Sequence, residues 1–326
     1  MSKLVTIYGG SGFVGRYIAR RLANAGWRVR VAVRRPNEAM HVKPYGTPGQ
    51  VEPVFCNIRD DASVRAVLQG SDAVVNCVGT FDAGGKNNFD AVQDQGATRI
   101  ARIAAEEGVA RMVHISAIGA DAEAPSRYGR TKAAGEAGVL KHMPGALILR
   151  PSVVFGAEDA FFNRFAKMAT STPVLPLVGA GTRFQPVYVD DVAAAAVMGV
   201  EGQASGVYEL GGPDVRSFRE LMQEMLGVIQ RRKLIVNMPF WVAGLMAFGL
   251  DMLQSLTGGL LHNSMITRDQ VKSLRVDNVV SKDARGFADL GISPMATEAV
   301  LPEYLWPFRQ SGQYAAIKKS AGNLRG

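Results

Sequence analysis

The chain has 326 residues, of which 47% are hydrophobic and 20% charged, a globular composition that excludes bulk disorder, collagen-like repeats and a disulfide scaffold. Its net charge of +8 favours an acidic membrane surface or an acidic partner, whereas the absence of a basic stripe with interleaved aromatics disfavours nucleic acid. No window of about 18 apolar residues predicts a membrane span, and the first strand-like run, from Lys3, leaves no room for a signal or transit peptide.

Apolar runs of strand length alternate with helical patterns through the first 151 residues. Strands are predicted at 3–8, 28–33, 51–56, 72–78, 112–116 and 146–150. Helices are predicted from the first glycine-rich turn to about residue 25 and at 60–69, 90–107 and 127–142. This alternation predicts an α/β fold of Rossmann type, with a doubly wound parallel sheet covered by helices on both faces.

The pattern becomes looser after residue 151. Short strands are predicted at 184–189 and 206–210, and helices at 190–201 and 217–228. The predicted organisation is a Rossmann dinucleotide-binding core at 1–151, a smaller C-terminal α/β lobe at 152–309, and a loose basic tail at 310–326.

The turn after the first strand carries three regularly spaced glycines. Gly9 permits a tight turn, Gly12 lets a pyrophosphate approach the backbone at a helix N-terminus, and Gly15 permits close packing of the helix. The spacing is G-x-x-G-x-x-G, and the turn lies between a strand and a helix, as a dinucleotide site requires. A dinucleotide is therefore predicted to bind at these glycines and the intervening Ser11, Phe13 and Val14. The alternative is a purely structural turn.

The end of the second strand indicates which dinucleotide is bound. Arg34 and Arg35 occupy the place, about 20 residues beyond the glycines, where an Asp or Glu would hold the ribose of NAD. Because a guanidinium attracts a 2′-phosphate, the predicted cofactor is NADP(H). Two solvated surface arginines are the alternative.

Tyr128 and Lys132 lie four residues apart on a predicted helix and therefore share one face. A lysine ammonium beside a tyrosine is expected to lower the phenol pKa, which makes a general acid/base. Ser116, which closes the fifth strand, could orient a carbonyl or hydroxyl group. The alternative is that these candidate catalytic residues only anchor the cofactor.

Several motifs together resemble the extended and atypical short-chain dehydrogenase/reductase families: GGSGFVG, NCVG, YGRTK, LRPSVVFG, FQPVYVDDVA and YELGGP. The resemblance implies that Asn57 and Ile58 contact the adenine ring. It further implies cofactor contacts from Val78, Gly79 and Thr80, and nicotinamide contacts from Pro151, Val153 and Val154. The loop between Ser116 and Tyr128 is shorter than in extended enzymes, which disfavours sugar-nucleotide epimerase chemistry.

Two further motifs, FGAEDAFFNRF at 155–165 and MITRDQVKSL at 265–274, resemble the NAD(P)-binding accessory subunits of respiratory complex I. This resemblance implies a tightly bound, structural cofactor and contacts with other complex I subunits near the quinone-binding arm. Together with the composition, it implies a bacterial version that lies peripherally on the cytoplasmic face of the inner membrane.

Residues 238–256 form an apolar segment that is too short to span a bilayer. Trp241, Leu245, Phe248, Met252 and Leu256 form a stripe at helical spacing. A basic cluster at 230–233 precedes the segment, where anionic headgroups would be met. The segment is predicted to be a helix that faces the membrane surface or a partner. An ordinary core helix is the alternative.

The four histidines and two cysteines show no metal-ligand spacing, so no metal is predicted. The function that the sequence favours is a non-catalytic, NADP(H)-binding accessory subunit of complex I that supports assembly or stability at the junction with the membrane arm. A soluble NADP-dependent reductase that uses Tyr128, Lys132 and Ser116 is the second hypothesis. A dinucleotide-sensing regulator is the third.

Overall fold

The structure, a computed structural model, describes residues 3–80, 84–256, 267–310 and 312. The chain divides into two compact units. The first comprises Met1–Ser152, Val189–Gly211 and Val280–Pro294, and the second comprises Val153–Tyr188, Gly212–Val279 and Met295–Gly326. The predicted boundary at residue 151 is close to the end of the first segment, but two later segments also belong to the first unit.

The elements of the described residues are numbered here in chain order. The strands are β1 (Leu4–Tyr8), β2 (Arg28–Val33), β3 (Val51–Phe55), β4 (Ala73–Asn76), β5 (Arg111–Ile115), β6 (Leu147–Pro151), β7 (Val154–Phe155), β8 (Val174–Val178), β9 (Arg183–Phe184), β10 (Val187–Tyr188), β11 (Gly206–Leu210), β12 (Arg216–Ser217) and β13 (Leu234–Met238). The α-helices are α1 (Phe13–Asn24), α2 (Asp61–Leu68), α3 (Gln95–Glu106), α4 (Arg127–His142), α5 (Phe162–Ser171), α6 (Val189–Glu201), α7 (Phe218–Val228), α8 (Phe240–Leu256), α9 (Arg268–Ser273) and α10 (Thr297–Leu305). A π-helix, Asp90–Asp94, leads into α3, and 3-10 helices lie at Pro36–Tyr45, Ala288–Leu290 and Trp306–Phe308.

A seven-stranded sheet in the order β11-β6-β5-β4-β1-β2-β3 forms the centre of the first unit. Every pair is parallel, and Val5 of β1 lies opposite Val29 on one side and Ala73 on the other. The strand order reverses at β1, so the carboxyl ends of β1 and β4 form the switch point at which such sheets bind ligands. The predicted α/β fold of Rossmann type is confirmed.

Strand β11 explains why the first unit includes residues beyond 152. It pairs with β6, from Gly206 opposite Leu147 to Leu210 opposite Pro151, and thereby extends the sheet by one strand. Helix α6 packs against α1, and its buried residues include Val192. The sequence placed both elements in the C-terminal lobe because their pairing with the sheet depends on contacts distant along the chain.

The described residues of the second unit form three small two-stranded sheets, β10-β7, β12-β9 and β13-β8. Its core is rich in aromatic rings, and Phe155, Phe161 and Phe162 of the FGAEDAFFNRF motif belong to it or pack against it. The rings of Phe161 and Phe218 stack with centroids 5.5 Å apart. Much of this motif is therefore core packing.

Helix α8 covers nearly all of the predicted segment 238–256. Within the described residues, Trp241, Leu245 and Phe248 of the predicted stripe are 69%, 64% and 51% exposed. The opposite face is buried, because Ala243 and Ala247 pack with Val178 and Val271. The exposure argues against the core-helix alternative. None of the described helices combines the length and apolarity that a membrane crossing demands.

Two sequence predictions fall partly outside the described residues. The side chains of Met252 and Leu256, the last two positions of the stripe, are not described. Of the predicted tail at 310–326, the structure describes only residues 310 and 312.

Candidate functional site

The glycine-rich turn between β1 and α1 requires glycine at two of its three positions. Gly9 has a φ of +74°, in the left-handed region, and its N–H donates to the carbonyl of Ala32 at 3.1 Å. A Cβ on Gly15 would lie 2.3 Å from the carbonyl oxygen of Gly9, far inside van der Waals contact. Gly15 is therefore needed so that the start of α1 can pack closely against the backbone of the turn at Gly9.

The first turn of α1 is open to an anion. Gly12 is its N-cap, makes no side-chain cap, and is followed by no acidic residue in the first turn. Arg16 adds positive charge, because its guanidinium donates to the carbonyls of Gly12 at 3.3 Å and Ser11 at 3.2 Å. Backbone N–H groups at a helix N-terminus bind phosphate. Arg16 was not identified from the sequence, because no motif distinguishes it from other helix arginines.

Arg34 and Arg35 follow β2, but the structure distinguishes between them. Arg35 donates to Glu38 at 2.9 Å, and both side chains are largely exposed. Arg34 is exposed and makes no ion pair with the described residues. Of the two candidate 2′-phosphate ligands, Arg34 is therefore the one whose charge is not already compensated.

The loop after β4 lies against the glycine turn at the switch point. A Cβ on Gly9 would be 3.3 Å from the carbonyl of Cys77 and from the Val78 side chain. Val78 is fixed in turn, because its N–H donates to Oδ1 of buried Asn76 at 3.1 Å. The structure thus brings together the predicted cofactor loops at 9–15 and 78–80.

Gln93 holds the end of the β4 loop in place. This buried side chain donates to the carbonyl of Thr80 at 2.8 Å and accepts from the Thr131 hydroxyl at 2.8 Å. It therefore connects the loop to α4, three residues after Tyr128. Sequence reasoning missed Gln93, since its role depends on a contact made across the fold.

The remaining predicted cofactor residues lie at the carboxyl ends of β3 and β6 or in the second unit. Asn57 follows β3, where its N–H donates to Ser63 Oγ at 2.9 Å, and Ile58 comes next. Pro151 is the last residue of β6. Val153 and Val154 belong to the second unit, where Val154 pairs with Val187.

Lys132, Tyr128 and Ser116 come together near the carboxyl end of β5. Lys132 is 5% exposed, and its Nζ donates to the carbonyl of Ile115 at 3.1 Å. The same Nζ lies 6.0 Å from the centroid of the Tyr128 ring. A Cβ on Gly79 would lie 3.9 Å from it, so the amine also faces the β4 loop.

The pKa values within this group do not follow the predicted direction. Burial raises the pKa of Tyr128 to about 12, and burial lowers the pKa of Lys132 to about 8. The predicted lowering of the phenol pKa by Lys132 is therefore wrong for this structure, because desolvation is the dominant cause. At neutral pH the phenol keeps its proton and can donate it in a hydrogen bond.

His114 is a buried neighbour that the sequence analysis left as an ordinary histidine. Burial, reinforced by the Lys132 charge, lowers its pKa to about 3, so the imidazole is neutral. The Asn76 amide lies 3.1 Å from Nδ1 and donates to it, which places the ring proton on Nε2.

Two buried polar atoms of this region have no hydrogen-bond partner among the described residues, namely Ser116 Oγ and His114 Nε2. An unpaired buried polar group costs about 1–3 kcal/mol, so such atoms are uncommon unless a ligand or water satisfies them. Three features of the site fit a nicotinamide dinucleotide. They are the unpaired hydroxyl beside the Tyr–Lys pair, the backbone cradle at Gly9–Gly15 and the exposed arginine after β2. Within the described ranges, no three His, Cys, Asp or Glu side chains cluster as metal ligands.

Comparison with known proteins agrees with this arrangement. Residues 5–211 match the NAD dependent epimerase/dehydratase family. The chain is 35% identical over 316 residues to NADH dehydrogenase [ubiquinone] 1 alpha subcomplex subunit 9, mitochondrial, of Arabidopsis thaliana, covering 95% of this chain and 79% of that protein. It is 31% identical over 240 residues to a ceramide reductase of Caulobacter vibrioides, covering 72% of this chain and 74% of that protein.

Solved structures share the fold. The enzyme WbmG of Bordetella bronchiseptica, solved in complex with NAD, superimposes with a TM-score of 0.63 at 19% identity, covering 73% of this chain and 82% of that one. Both resemblances found in the sequence are confirmed. The chain belongs to the NAD dependent epimerase/dehydratase family and, within it, to the family of subunit 9 of the NADH dehydrogenase [ubiquinone] 1 alpha subcomplex.

Proposed function

We propose that this chain is an accessory subunit of respiratory complex I that binds NADP(H) as a structural cofactor. The observation that carries the proposal is the extent of the likeness. The similarity to the Arabidopsis subunit covers 95% of the chain, whereas the epimerase/dehydratase match ends at residue 211. The likeness thus includes the part of the second unit that contains α8.

Residues of the first unit supply the proposed cofactor site. The pyrophosphate would lie on the N–H groups at Gly12 and the start of α1, beside Arg16, and the 2′-phosphate would lie near Arg34. A bound nicotinamide dinucleotide supplies a hydride donor or acceptor. Lys132 is held at Ile115 and faces Gly79, where an ammonium can donate to ribose hydroxyls.

The proposed role is structural rather than catalytic. A general acid/base works best when its pKa lies near the working pH. Burial instead raises the pKa of Tyr128 to about 12. A phenol and an ammonium that both donate hydrogen bonds support anchoring of the cofactor, with Ser116 as a further donor.

The proposed location is peripheral, on the cytoplasmic face of a bacterial inner membrane, at the junction with the membrane arm near the quinone-binding subunits. The exposed side chains of Trp241, Leu245 and Phe248 support a hydrophobic neighbour for α8. A cation accompanies this face, since the guanidinium of Arg268 lies 5.4 Å from the centroid of the exposed Phe248 ring.

The structural role of the cofactor can be tested with a variant that folds but does not bind. Gly12 has ordinary extended backbone angles, and Asp is a favourable N-cap. Gly12→Asp should lose the dinucleotide, because its carboxylate repels the pyrophosphate. A Cβ at this position would lie 3.2 Å from the Gly9 carbonyl oxygen, so thermal melting must first verify that the variant folds. We expect less assembled complex I in membranes from this strain, and near wild-type NADH:ubiquinone activity from Tyr128→Phe. Normal assembly without bound dinucleotide would contradict the structural role.

A reductase is the second candidate. It is favoured by the similarity to a ceramide reductase and by the proximity of Ser116, Tyr128 and Lys132 in one region. Its test is NADPH oxidation by the purified chain with keto-lipid substrates. Turnover abolished by Tyr128→Phe would favour the reductase over the accessory subunit.

A further inference from the structure

A basic groove lies in the second unit, between the end of α7 and the start of β13. Its volume is about 650 Å³, and its lining includes Arg219, Arg231, Arg232, Lys233, Leu234 and Ile235. The four cations come from two parts of the chain, because Arg219 is on the second position of α7 and the others follow that helix.

The charges in this groove are not compensated by carboxylates. Arg219 donates to the Asn237 amide oxygen at 2.6 Å, and Arg231 donates to the carbonyl of Phe308 at 2.8 Å. Both partners are neutral, and none of the four cations forms an ion pair with the described residues. Among the described residues that line the groove there is no Asp or Glu.

The acidic side chains of the adjacent helix α7 are already engaged. Glu220 closes the capping box with Ser217, and Glu224 pairs with Arg216 at 3.2 Å. The positive potential of the groove is therefore a feature of the folded unit rather than of one exposed side chain.

The backbone that forms the groove adopts an unfavourable conformation. Gln230 has a φ of +55°, the only positive φ at a non-glycine position among the described residues. This turn lets the N–H groups of Gln230 and Arg231 donate to the carbonyls of Gly227 and Leu226, both at 3.1 Å. Directly after it, the chain presents Arg232 and Lys233.

Exposed apolar side chains follow the groove along the chain, on β13 and then on α8. Leu234, at the edge of the groove, is 64% exposed, and Val236 is 41% exposed. The two residues are two apart on β13, so their side chains lie on one face of the strand. Helix α8 begins two residues after β13 ends, and Trp241 is its first exposed residue.

We propose that this groove binds the phosphate of an anionic phospholipid headgroup, with Leu234, Val236 and the exposed face of α8 toward the acyl region. The inference rests on the membrane-side location in the proposed function. Uncompensated cations beside exposed apolar side chains are complementary to a lipid surface, which presents anionic phosphates above hydrocarbon. A nucleic acid or a free phosphate would leave the apolar residues in water.

The test measures cosedimentation of the full-length chain with vesicles of phosphatidylcholine alone and with added phosphatidylglycerol. The variant is the double substitution Arg232→Gln with Lys233→Gln, since neither side chain forms an ion pair with described residues. The control is Lys141→Gln with Lys282→Gln, which removes two exposed charges elsewhere. Thermal melting verifies that the wild type, the two double variants and a Leu245→Glu variant, used below, all fold alike.

We expect preference for the phosphatidylglycerol vesicles, about thirtyfold weaker binding in the groove variant, and little loss in the control. Equal binding to both vesicle types, equal loss in both double variants, or displacement by millimolar inorganic phosphate would each overturn the lipid site. Binding that is lost in Leu245→Glu but kept in the groove variant would overturn the groove and leave the membrane-side location intact. Retention by acidic complex I subunits without binding to either vesicle would identify a protein partner instead and overturn the lipid site.

Discussion

The amine of Lys132 donates to the carbonyl of Ile115 at 3.1 Å, one residue before Ser116. This hydrogen bond connects α4 to the carboxyl end of β5, and Ser116 is the residue directly after that strand. The geometry places the candidate ammonium and phenol on α4 and the candidate hydroxyl directly after β5, all within the first unit. It also buries a lysine, and the burial has measurable consequences.

Lys132→Met should raise the free energy of unfolding at neutral pH. Burial lowers the pKa of this lysine from 10.5 to about 8, which corresponds to about 3 kcal/mol of folding penalty. The penalty is fully present below pH 8 and is relieved as pH rises toward 10.5, where the unfolded chain also loses the proton. The advantage of the variant over wild type should therefore shrink between pH 8 and 10, as measured by urea unfolding.

The matched control for this prediction is Lys141→Met, because Lys141 is exposed on the same helix. Its difference from wild type should be small, because this exposed side chain carries no burial penalty. Lys132→Met should also bind the dinucleotide more weakly, since it loses the ammonium. A Lys132→Met chain that is less stable than wild type at pH 7 would contradict the buried-charge account.

Gly15→Ala should destabilise the first unit and weaken dinucleotide binding. The new methyl would lie 2.3 Å from the Gly9 carbonyl, so either the turn or α1 must shift. Overpacking of this kind costs about 1–3 kcal/mol. Urea unfolding and dinucleotide titration measure both effects. Gly145→Ala, where a Cβ meets nothing within 4 Å, is the control and should be nearly neutral.

Arg34→Asp should reduce the preference for NADPH over NADH by about tenfold or more, because a charge-assisted phosphate contact is lost and repulsion is added. Arg35→Gln should have a smaller effect, since Arg35 is already paired with Glu38. Isothermal titration with both dinucleotides measures the preference. Unchanged NADPH affinity in Arg34→Asp would remove the argument for NADP(H).

Leu245→Glu should keep the fold and lose attachment to membranes or to the complex, because Leu245 is 64% exposed. Ala247→Glu on the opposite face should instead unfold part of the second unit, because Ala247 is fully buried among apolar side chains. Thermal melting and membrane fractionation distinguish the two outcomes. If Leu245→Glu also unfolds the unit, the exposed face of α8 is not a docking surface.

The strands and helices of residues 1–151 could be predicted from the sequence, because each one has a pattern in its own short stretch of residues. Most strands of the parallel sheet are short apolar runs bounded by polar or turn residues, β2 alternates apolar residues with arginines, and the glycine spacing identifies the switch point. Pro53 lies within β3, where a proline is tolerated because β3 is an edge strand of the sheet. Conversely, β11 and α6 join the first unit through contacts with β6 and α1 that leave no local pattern.

The candidate site was predictable only in part. Glycines and the Y-x-x-x-K spacing identify residue types, so Gly9, Gly15 and the Tyr128–Lys132 pair could be named from the sequence. The direction of the pKa shift of Tyr128 could not be predicted from the sequence, because it depends on burial that the fold creates. The roles of three buried polar residues could not be predicted either, namely Asn76, Gln93 and His114. A buried polar side chain acquires its hydrogen-bond partners only when distant strands and helices pack.

The most direct test of the proposed function is to purify the chain from native membranes and identify what copurifies. An affinity-tagged chain should comigrate with NADH:ubiquinone oxidoreductase activity after mild detergent extraction, with NADP(H) released on denaturation at about one per chain. Recovery of the chain free of complex I subunits, together with substrate-dependent NADPH oxidation, would contradict the accessory-subunit account and favour the reductase.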